Sequence, residues 1–275
     1  MATNGKVKPK KALGQHFLTD ENIARRIADT LSSYKGMPVI EVGPGMGMLT
    51  KYLVADGHDV TVVEIDGESI AYLRDNFPAL QGERIIEGDF LEMDLAEAMG
   101  GKEFCVIGNY PYNISSQIFF KVLDYKDMIP CCSGMLQREV AERLAAPPGT
   151  KARGILSVLL QAWYDVKYLF TVDEHVFNPP PKVKSGVIIM TRNDVTDLGC
   201  DPRLFRTIVK TVFGQRRKTL RNSIRGIMPP GGSLPESPLW AMRPEQLSVA
   251  DFITLTNLVA AVRAGDTNLS TSIQQ

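Results

Sequence analysis

A chain of 275 residues, 44% hydrophobic and 23% charged, has the make-up of a soluble globular protein with one large domain and an appendage, or with two domains. No apolar run approaches the ~20 residues that span a bilayer, which argues against a membrane protein or a membrane partner. Lys+Arg and Asp+Glu are equal at 31 each, so total charge singles out no class of ligand, and only its distribution along the chain informs.

The N-terminal "MATNGKVKPKKALGQ" carries Lys6, Lys8, Lys10 and Lys11 before the first acid, Asp20. It lacks the apolar segment of a secretory signal, so a cytoplasmic location is expected. In "TDENIARRIADTL", Ile23, Ile27 and Leu31 recur at helical spacing behind a cap at Thr19 or Asp20. Short apolar runs then alternate with helical patterns: strands over 38–43, 59–66, 83–89, 104–110 and 132–137, each followed by a helix. Two later segments, "SVLLQAWYDVKYLFTV" and "SGVIIMTR", read as further strands, an antiparallel pair at the edge. This rhythm predicts an α/β fold, a doubly wound Rossmann-like sheet with helices on both faces. From Pro202 onward the pattern is helical only, with Pro244 at a helix start and Ser248 paired with Asp251 as a cap. The expected division is a sheet domain over 1–190 and a small all-helical domain over 191–275 that ends in a polar tail. Cys105, Cys131, Cys132 and Cys200 form neither a metal-binding spacing nor a disulfide framework, and read as reduced bystanders; no metal site is expected.

Chemistry is concentrated where strands end. "VIEVGPGMGMLT" is a strand, a glycine turn and a helix start, and Gly43, Gly45 and Gly47 let a ligand approach the backbone. A nicotinamide fingerprint needs a glycine at position 48, where Met48 stands. Glu41, inside the strand, suits a ligand with a cationic amino-acid end better than a pyrophosphate. Glu64 ends the next strand at the spacing of an acid that accepts both ribose hydroxyls, and Asp89 ends the third, placed to accept from an adenine amino group. Each acid alone is equally an ordinary strand-end residue; their order makes the site.

The fourth strand ends in Asn109-Tyr110-Pro111-Tyr112. The exocyclic nitrogen of adenine is a poor nucleophile because its lone pair is delocalised into the ring. Two acceptors on its N–H bonds favour a pyramidal nitrogen. The Asn109 side-chain oxygen is one acceptor. The Tyr110 carbonyl is the other, since Pro111 holds its predecessor extended. Tyr112 offers a stacking ring, worth ~1–3 kcal/mol per base. Methyl transfer to a flipped-out adenine asks for orientation more than for a shifted base. In "VFNPPPKVKS", Phe177 either covers the other face of that base or anchors a proline-rich loop.

At this point the sequence resembles the small-subunit (16S) rRNA adenine N6,N6-dimethyltransferases. The blocks are "LGQHFL", "EVGPGMGMLT", "VEID", "GDFL", "GNYPYNISS", "LQREVAERL", "FNPPPKVKS", "FGQRRKTLRN" and "RPEQLS", in order from about Lys11 to Val262. The resemblance implies an S-adenosyl-L-methionine-dependent enzyme acting on two adjacent adenosines near the 3′ end of 16S rRNA within the 30S subunit, with a role in small-subunit biogenesis and no obligate protein partner. It implies cofactor contacts at His16, Leu18, Gly43, Gly45, Glu64, Asp89 and Asn109, and a target base held by Asn109, Tyr110, Tyr112 and Phe177. Family members often have Asn where His16 stands and Leu or Ile where Tyr110 stands. A backbone contact at residue 16 tolerates the first change, and Tyr110 keeps its carbonyl.

From Arg203 to Pro235 there are eight basic residues and no acid. Arg216, Arg217, Lys218, Arg221 and Arg225 read as an RNA-binding face, with Arg217, Arg221 and Arg225 four apart on one helix; a solvated helix face is the plainer alternative. Lys10 and Lys11 either extend that face or belong to a loose tail. Three other functions compete: a 23S rRNA adenine methyltransferase, a ribosome-assembly checkpoint factor with secondary catalysis, and a nicotinamide dehydrogenase disfavoured by Met48.

Overall fold

The computed structural model describes residues 7–229 and 234–265. The chain divides into two compact units, one made of Met1–Glu142 with Tyr164–Arg192, the other of Arg143–Trp163 with Asn193–Gln275. The division expected at 190/191 therefore differs from the packing in one respect. The excursion 143–163 groups with the C-terminal unit.

The first unit holds β1 (Phe17–Leu18), β2 (Pro38–Val42), β3 (Asp59–Glu64), β4 (Ile85–Glu87), β5 (Cys105–Asn109), β6 (Cys131–Gln137), β7 (Tyr164–Val172), β8 (Phe177–Asn178) and β9 (Ser185–Arg192). Seven of them form one sheet in the order β4-β3-β2-β5-β6-β9-β7, and β1 pairs with β8 alone. Strands β2 to β6 are parallel, and β9 runs antiparallel to both β6 and β7. Val39–Val42 and Val60–Glu64 are buried throughout, which is why their apolar residues show no strict in-out alternation and the few polar ones, Glu41, Thr61 and Glu64, stand out. Helices α1 (Glu21–Ala28) and α3 (Gly67–Asn76) start where Asp20 and Asp66 accept from the N–H groups of Ile23 and Glu68. Between them lies α2 (Thr50–Ala55), and α4 (Leu95–Ala98), α5 (Ser115–Asp124) and α6 (Arg138–Leu144) follow. The chain leaves β2 outward through β3 and β4 and returns to β5 on the other side of β2. The C-terminal ends of β2 and β5 thus border the crevice where open α/β sheets take ligands.

One expected strand is half helix. Residues 157–172 divide into α7 (Ile155–Gln161) and β7. Leu156, Val158, Leu159 and Leu160 are all buried, so the helix is apolar around its circumference and its periodicity cannot be told from that of a buried strand. The antiparallel pairing of β7 with β9 stands as expected.

The second unit holds α7, α8 (Pro202–Gly214), α9 (Leu220–Ser223) and α10 (Val249–Ala264). The Ser248–Asp251 capping box opens α10: Asp251 N–H donates to Ser248 Oγ at 3.1 Å, and Ser248 N–H to Asp251 Oδ2 at 2.9 Å. Phe252 of α10 meets the rings of Phe205 and Phe213 of α8. Arg153 is wholly buried; its Nε donates to the Leu247 carbonyl at 3.0 Å and its Nη1 to the Ala146 carbonyl and Gln161 Oε1 at 2.7 Å each. Burial pulls its pKa down to about 10. Among the described residues no helix is long and apolar enough to cross a membrane.

The basic segment departs from its expected shape. Helix α8 ends at Gly214, Thr219 is extended (ψ 159°), and α9 is a single turn followed by a 3-10 turn at Arg225–Ile227. Arg217, Arg221 and Arg225 therefore do not share one face of a continuous helix. The break is fixed by the Leu220 N–H donating to the Met242 carbonyl at 2.8 Å, which an uninterrupted helix would forbid.

Candidate functional site

The glycine turn after β2 is the tightest part of the crevice. Gly43, Gly45 and Gly47 have φ of +66°, +54° and +75°. A Cβ at Gly45 would stand 2.8 Å from the Phe17 ring, and one at Gly47 only 2.3 Å from the Phe77 ring. The turn is thus pressed between two aromatic side chains.

The acids come next. Gly45 N–H donates to Glu64 Oε2 at 3.1 Å, while Ile65 and Asp66 N–H both donate to Oε1 at 2.9 Å. Three main-chain donors fix the carboxylate at the end of β3. Burial still raises its pKa, against those bonds. Glu41 on β2 is 1% exposed and accepts from the Thr50 hydroxyl at 2.6 Å. Burial pushes its pKa up to about 7; the Thr50 bond opposes this and the nearby Glu64 charge adds to it. Asp89 follows β4. Its Oδ1 accepts from Leu91 N–H at 2.8 Å, and Lys121 of α5 holds the same loop through the Leu91 and Met93 carbonyls.

The N-terminal segment is tied onto this site. Lys10 is ion-paired to Asp66 and Glu68, and Gln15 donates to Asp66 at 3.2 Å. Lys10 is thereby neutralised by acids of its own unit and is not a free cation of the basic face. Phe17 and Leu18 form β1 against β8, with Leu18 opposite Phe177.

The end of β5 carries the polar groups that motivated the adenine reading. Asn109 Nδ2 donates to the His16 carbonyl at 3.0 Å, which leaves Oδ1 as the acceptor end of the amide. Tyr110 N–H donates to the Met135 carbonyl at 2.8 Å, continuing the pairing of β5 with β6. Its ring is a core ring: 1% exposed, phenol donating to the Ser133 carbonyl at 2.6 Å, edge-on to Phe119. Tyr112 is half-buried, its phenol 2.6 Å from the Ser185 hydroxyl. The His16 ring stacks on it with centroids 5.6 Å apart and planes at 26°. His16 Nδ1 donates to the Pro179 carbonyl at 2.8 Å, so the residue that departs from the family pattern bridges Tyr112 and the proline loop.

A cavity of ≈ 1060 Å³ unites these elements. Its walls include His16, Leu18, Gly43, Gly45, Glu41, Glu64, Asp89, Asn109, Tyr110 and Tyr112. Phe177 is not among them. It is 4% exposed in the apolar core, because pairing of β8 with β1 turns its ring inward. Its placement is that of the loop anchor and not of a second stacking face. Arg216 to Arg225 lie in the other unit: Arg216 donates to the Lys151 carbonyl and faces Glu245, while Arg217, Lys218, Arg221 and Arg225 are exposed. The four cysteines are free, and no cluster of three or more ligating side chains among the described residues is placed to hold a metal.

Residue-by-residue reading missed Asp66, Gln15 and the glycine pair Gly108–Gly134. Gly134 left a signal, a glycine inside the strand pattern "CSGMLQ", which marks close approach of a backbone or a ring.

The family described as ribosomal RNA adenine dimethylase matches residues 6–261. The ribosomal RNA small subunit methyltransferase A of Parabacteroides distasonis is 67% identical over 252 residues, covering 91% of this chain and 93% of that protein. Among solved structures, a dimethyladenosine transferase from Plasmodium falciparum superposes with a TM-score of 0.74 at 21% identity, covering 91% of this chain and 98% of the other. The 23S rRNA methyltransferase ErmE superposes with a TM-score of 0.64 at 25% identity, covering 89% and 99%.

Proposed function

This chain belongs to the ribosomal RNA adenine dimethylase family, and we propose that it transfers methyl groups from S-adenosyl-L-methionine to N6 of two adjacent adenosines near the 3′ end of 16S rRNA in the 30S particle. The observation that carries this reading is the amide of Asn109, whose nitrogen is engaged by the His16 carbonyl so that its oxygen is the acceptor end, on a residue that walls the cavity.

The cofactor fits the residues present. The cavity has room for it, the glycine turn with its positive-φ backbone forms part of the wall, and carboxylates line the same cavity from successive strands. Glu41 would hold the methionine ammonium, Glu64 the ribose hydroxyls and Asp89 the adenine amine, with His16 and Leu18 completing the wall. When bound, the cofactor supplies a methyl group activated on a sulfonium. Asn109 Oδ1 and the Tyr110 carbonyl accept from the two N–H bonds of the target amine. That turns its lone pair out of the ring plane. Tyr112 supports the base. Arg216, Arg217, Lys218, Arg221 and Arg225 contact RNA phosphates. ErmE shares the fold, so the fold alone does not choose between ribosomal subunits; the 67% identity to a protein named for the small subunit favours 16S rRNA.

The test is nucleoside mass spectrometry of unmethylated 30S particles incubated with the protein and S-adenosyl-L-methionine. N6,N6-dimethyladenosine is the expected product. Its appearance only with 50S particles, or no methylation of either, would overturn the reading.

Glu41 gives a pH signature. Its pKa in the fold, about 7, lies above the ordinary 4.5, so the neutral form is the one folding favours, and stability falls as pH rises between those values. A bound cation reverses the preference and expels the proton. Cofactor affinity is therefore expected to climb as pH rises toward about 7, by at most about tenfold per pH unit, and to level off above it. Glu41→Gln should flatten the profile. Calorimetry across this range, in buffers of different ionisation enthalpy, reads both the slope and the proton released.

A further inference from the structure

Beside the main cavity lies a second one of ≈ 450 Å³, within the range of small-ligand sites (~300–1,000 Å³). The two share Gly14, Gln15 and the stacked ring pair His16 and Tyr112 as a common wall. Asn109 and the strand-end carboxylates line only the main cavity, so a base in reach of the Asn109 amide sits there and not in the second space.

The second cavity has its own chemistry. Gln137, the last residue of β6, lines it, and the Gln137 side chain makes no hydrogen bond within the described residues. Pro179–Pro181 form a wall with no N–H donors and little freedom to rearrange. Lys11 and Lys182 are exposed at its rim, and neither has an ion-pair partner among the described residues, in contrast to Lys10 and Lys184, which are paired to Asp66 and Asp173. An aromatic wall, one open amide and two unpaired ammonium groups match a base, a base edge and phosphates.

We propose that this second cavity is a subsite for the nucleotide adjoining the target adenosine, a purine whose base rests on the His16–Tyr112 pair, whose edge meets the Gln137 amide and whose phosphates meet Lys11 and Lys182. The inference rests on the methyltransferase reading above and extends it to a second nucleotide. Neighbouring nucleotides are joined by one phosphodiester, and these two spaces adjoin along a wall that includes the stacked ring pair. When two adjacent adenosines are both substrates, such a subsite holds one in register while the other reacts.

The test uses the full-length protein saturated with S-adenosylhomocysteine. Adenosine and the dinucleotide adenylyl-(3′→5′)-adenosine are titrated separately, with binding read by NMR shift perturbation. The dinucleotide is expected to bind about tenfold more tightly than adenosine. Gln137→Ala combined with Lys182→Glu should remove that advantage and leave the affinities for adenosine and S-adenosylhomocysteine unchanged. Those unchanged affinities also show that the variant is folded; Lys182→Glu alone, on an exposed side chain, should lose part of the advantage. Equal binding of the two probes by the unaltered protein, or a dinucleotide advantage that survives the double substitution, overturns the subsite and leaves the methyltransferase reading in place. Failure of S-adenosylhomocysteine to bind at all overturns that reading, and the subsite with it.

Discussion

Asn109→Ala is expected to lower kcat by roughly 10²–10³-fold, the size of effect seen when one preorganised polar group aimed at a transition state is removed. The target nitrogen must give up conjugation with its ring before it can attack, and in the proposed mechanism the Asn109 oxygen is the acceptor that favours this. The amide is preorganised, because Nδ2 is already bonded to the His16 carbonyl. Reaction therefore spends nothing on turning the side chain. The cofactor should lose less, about tenfold or below, since Glu64 and the glycine turn are held by contacts independent of Asn109. Asn109→Asp separates the two ends of the amide. The carboxylate keeps acceptor capacity but sets an anion against the His16 carbonyl, so it should loosen the N-terminal segment and raise the cofactor KM. Single-turnover methylation and cofactor calorimetry on both variants measure the split. Retained 30S binding by the alanine variant would also show that recognition of the particle and methylation are separable, the distinction that the checkpoint alternative turns on. A kcat within threefold of the unaltered protein would remove Asn109 from the mechanism.

Much of the candidate crevice was legible because parallel sheets gather their strand C-termini at one edge. An apolar run that stops at Glu64, Asp89 or Asn109 places a polar group at a strand C-terminus, and parallel order brings those termini together. What was not legible depends on contacts between distant segments. Whether Phe177 faces a ligand or the core is decided by the pairing of a two-residue strand with Leu18, about 160 positions earlier. Lys10 looked like part of a basic tail because the acids that neutralise it, Asp66 and Glu68, come from the loop after β3 and the start of α3. Arg217, Arg221 and Arg225 satisfied helical spacing, but spacing carries no information about the tertiary bond from Leu220 to Met242 that ends the helix. In 157–172 the buried helix turn Val158–Leu160 is continuously apolar and runs into the alternating strand β7, and a buried turn of that kind has no period of its own to read.

Gly134→Ala is expected to destabilise the first unit by about 3 kcal/mol or more, and to lower its apparent Tm by roughly 6–12 °C. Gly134 lies opposite Gly108 in the pairing of β6 with β5, at φ +150°. A Cβ there would stand 2.2 Å from the Gly108 carbonyl oxygen and 2.6 Å from the Tyr110 ring. A Cβ at Gly108 would in turn approach the Val42 carbonyl to 2.6 Å and the same ring to 3.1 Å. The Tyr110 ring thus lies across two facing glycines, and the room they leave lets its phenol reach the Ser133 carbonyl. The backbone at Tyr110, whose carbonyl is one of the two acceptors in the proposed mechanism, is held in place by that buried ring. Combining Gly134→Ala with Tyr110→Leu should recover only part of the loss, because leucine removes the ring contact while the Gly108 oxygen still meets the new methyl. Gly67→Ala serves as the control: its Cβ would meet nothing within 4 Å at the start of α3, and stability should be unchanged or slightly higher. Differential scanning calorimetry on the three variants decides between this account and a sheet that simply adjusts. Equal Tm values for Gly134→Ala and Gly67→Ala would mean that β5 and β6 yield at their closest approach, and that the Tyr110 carbonyl is not held by the packing beneath it.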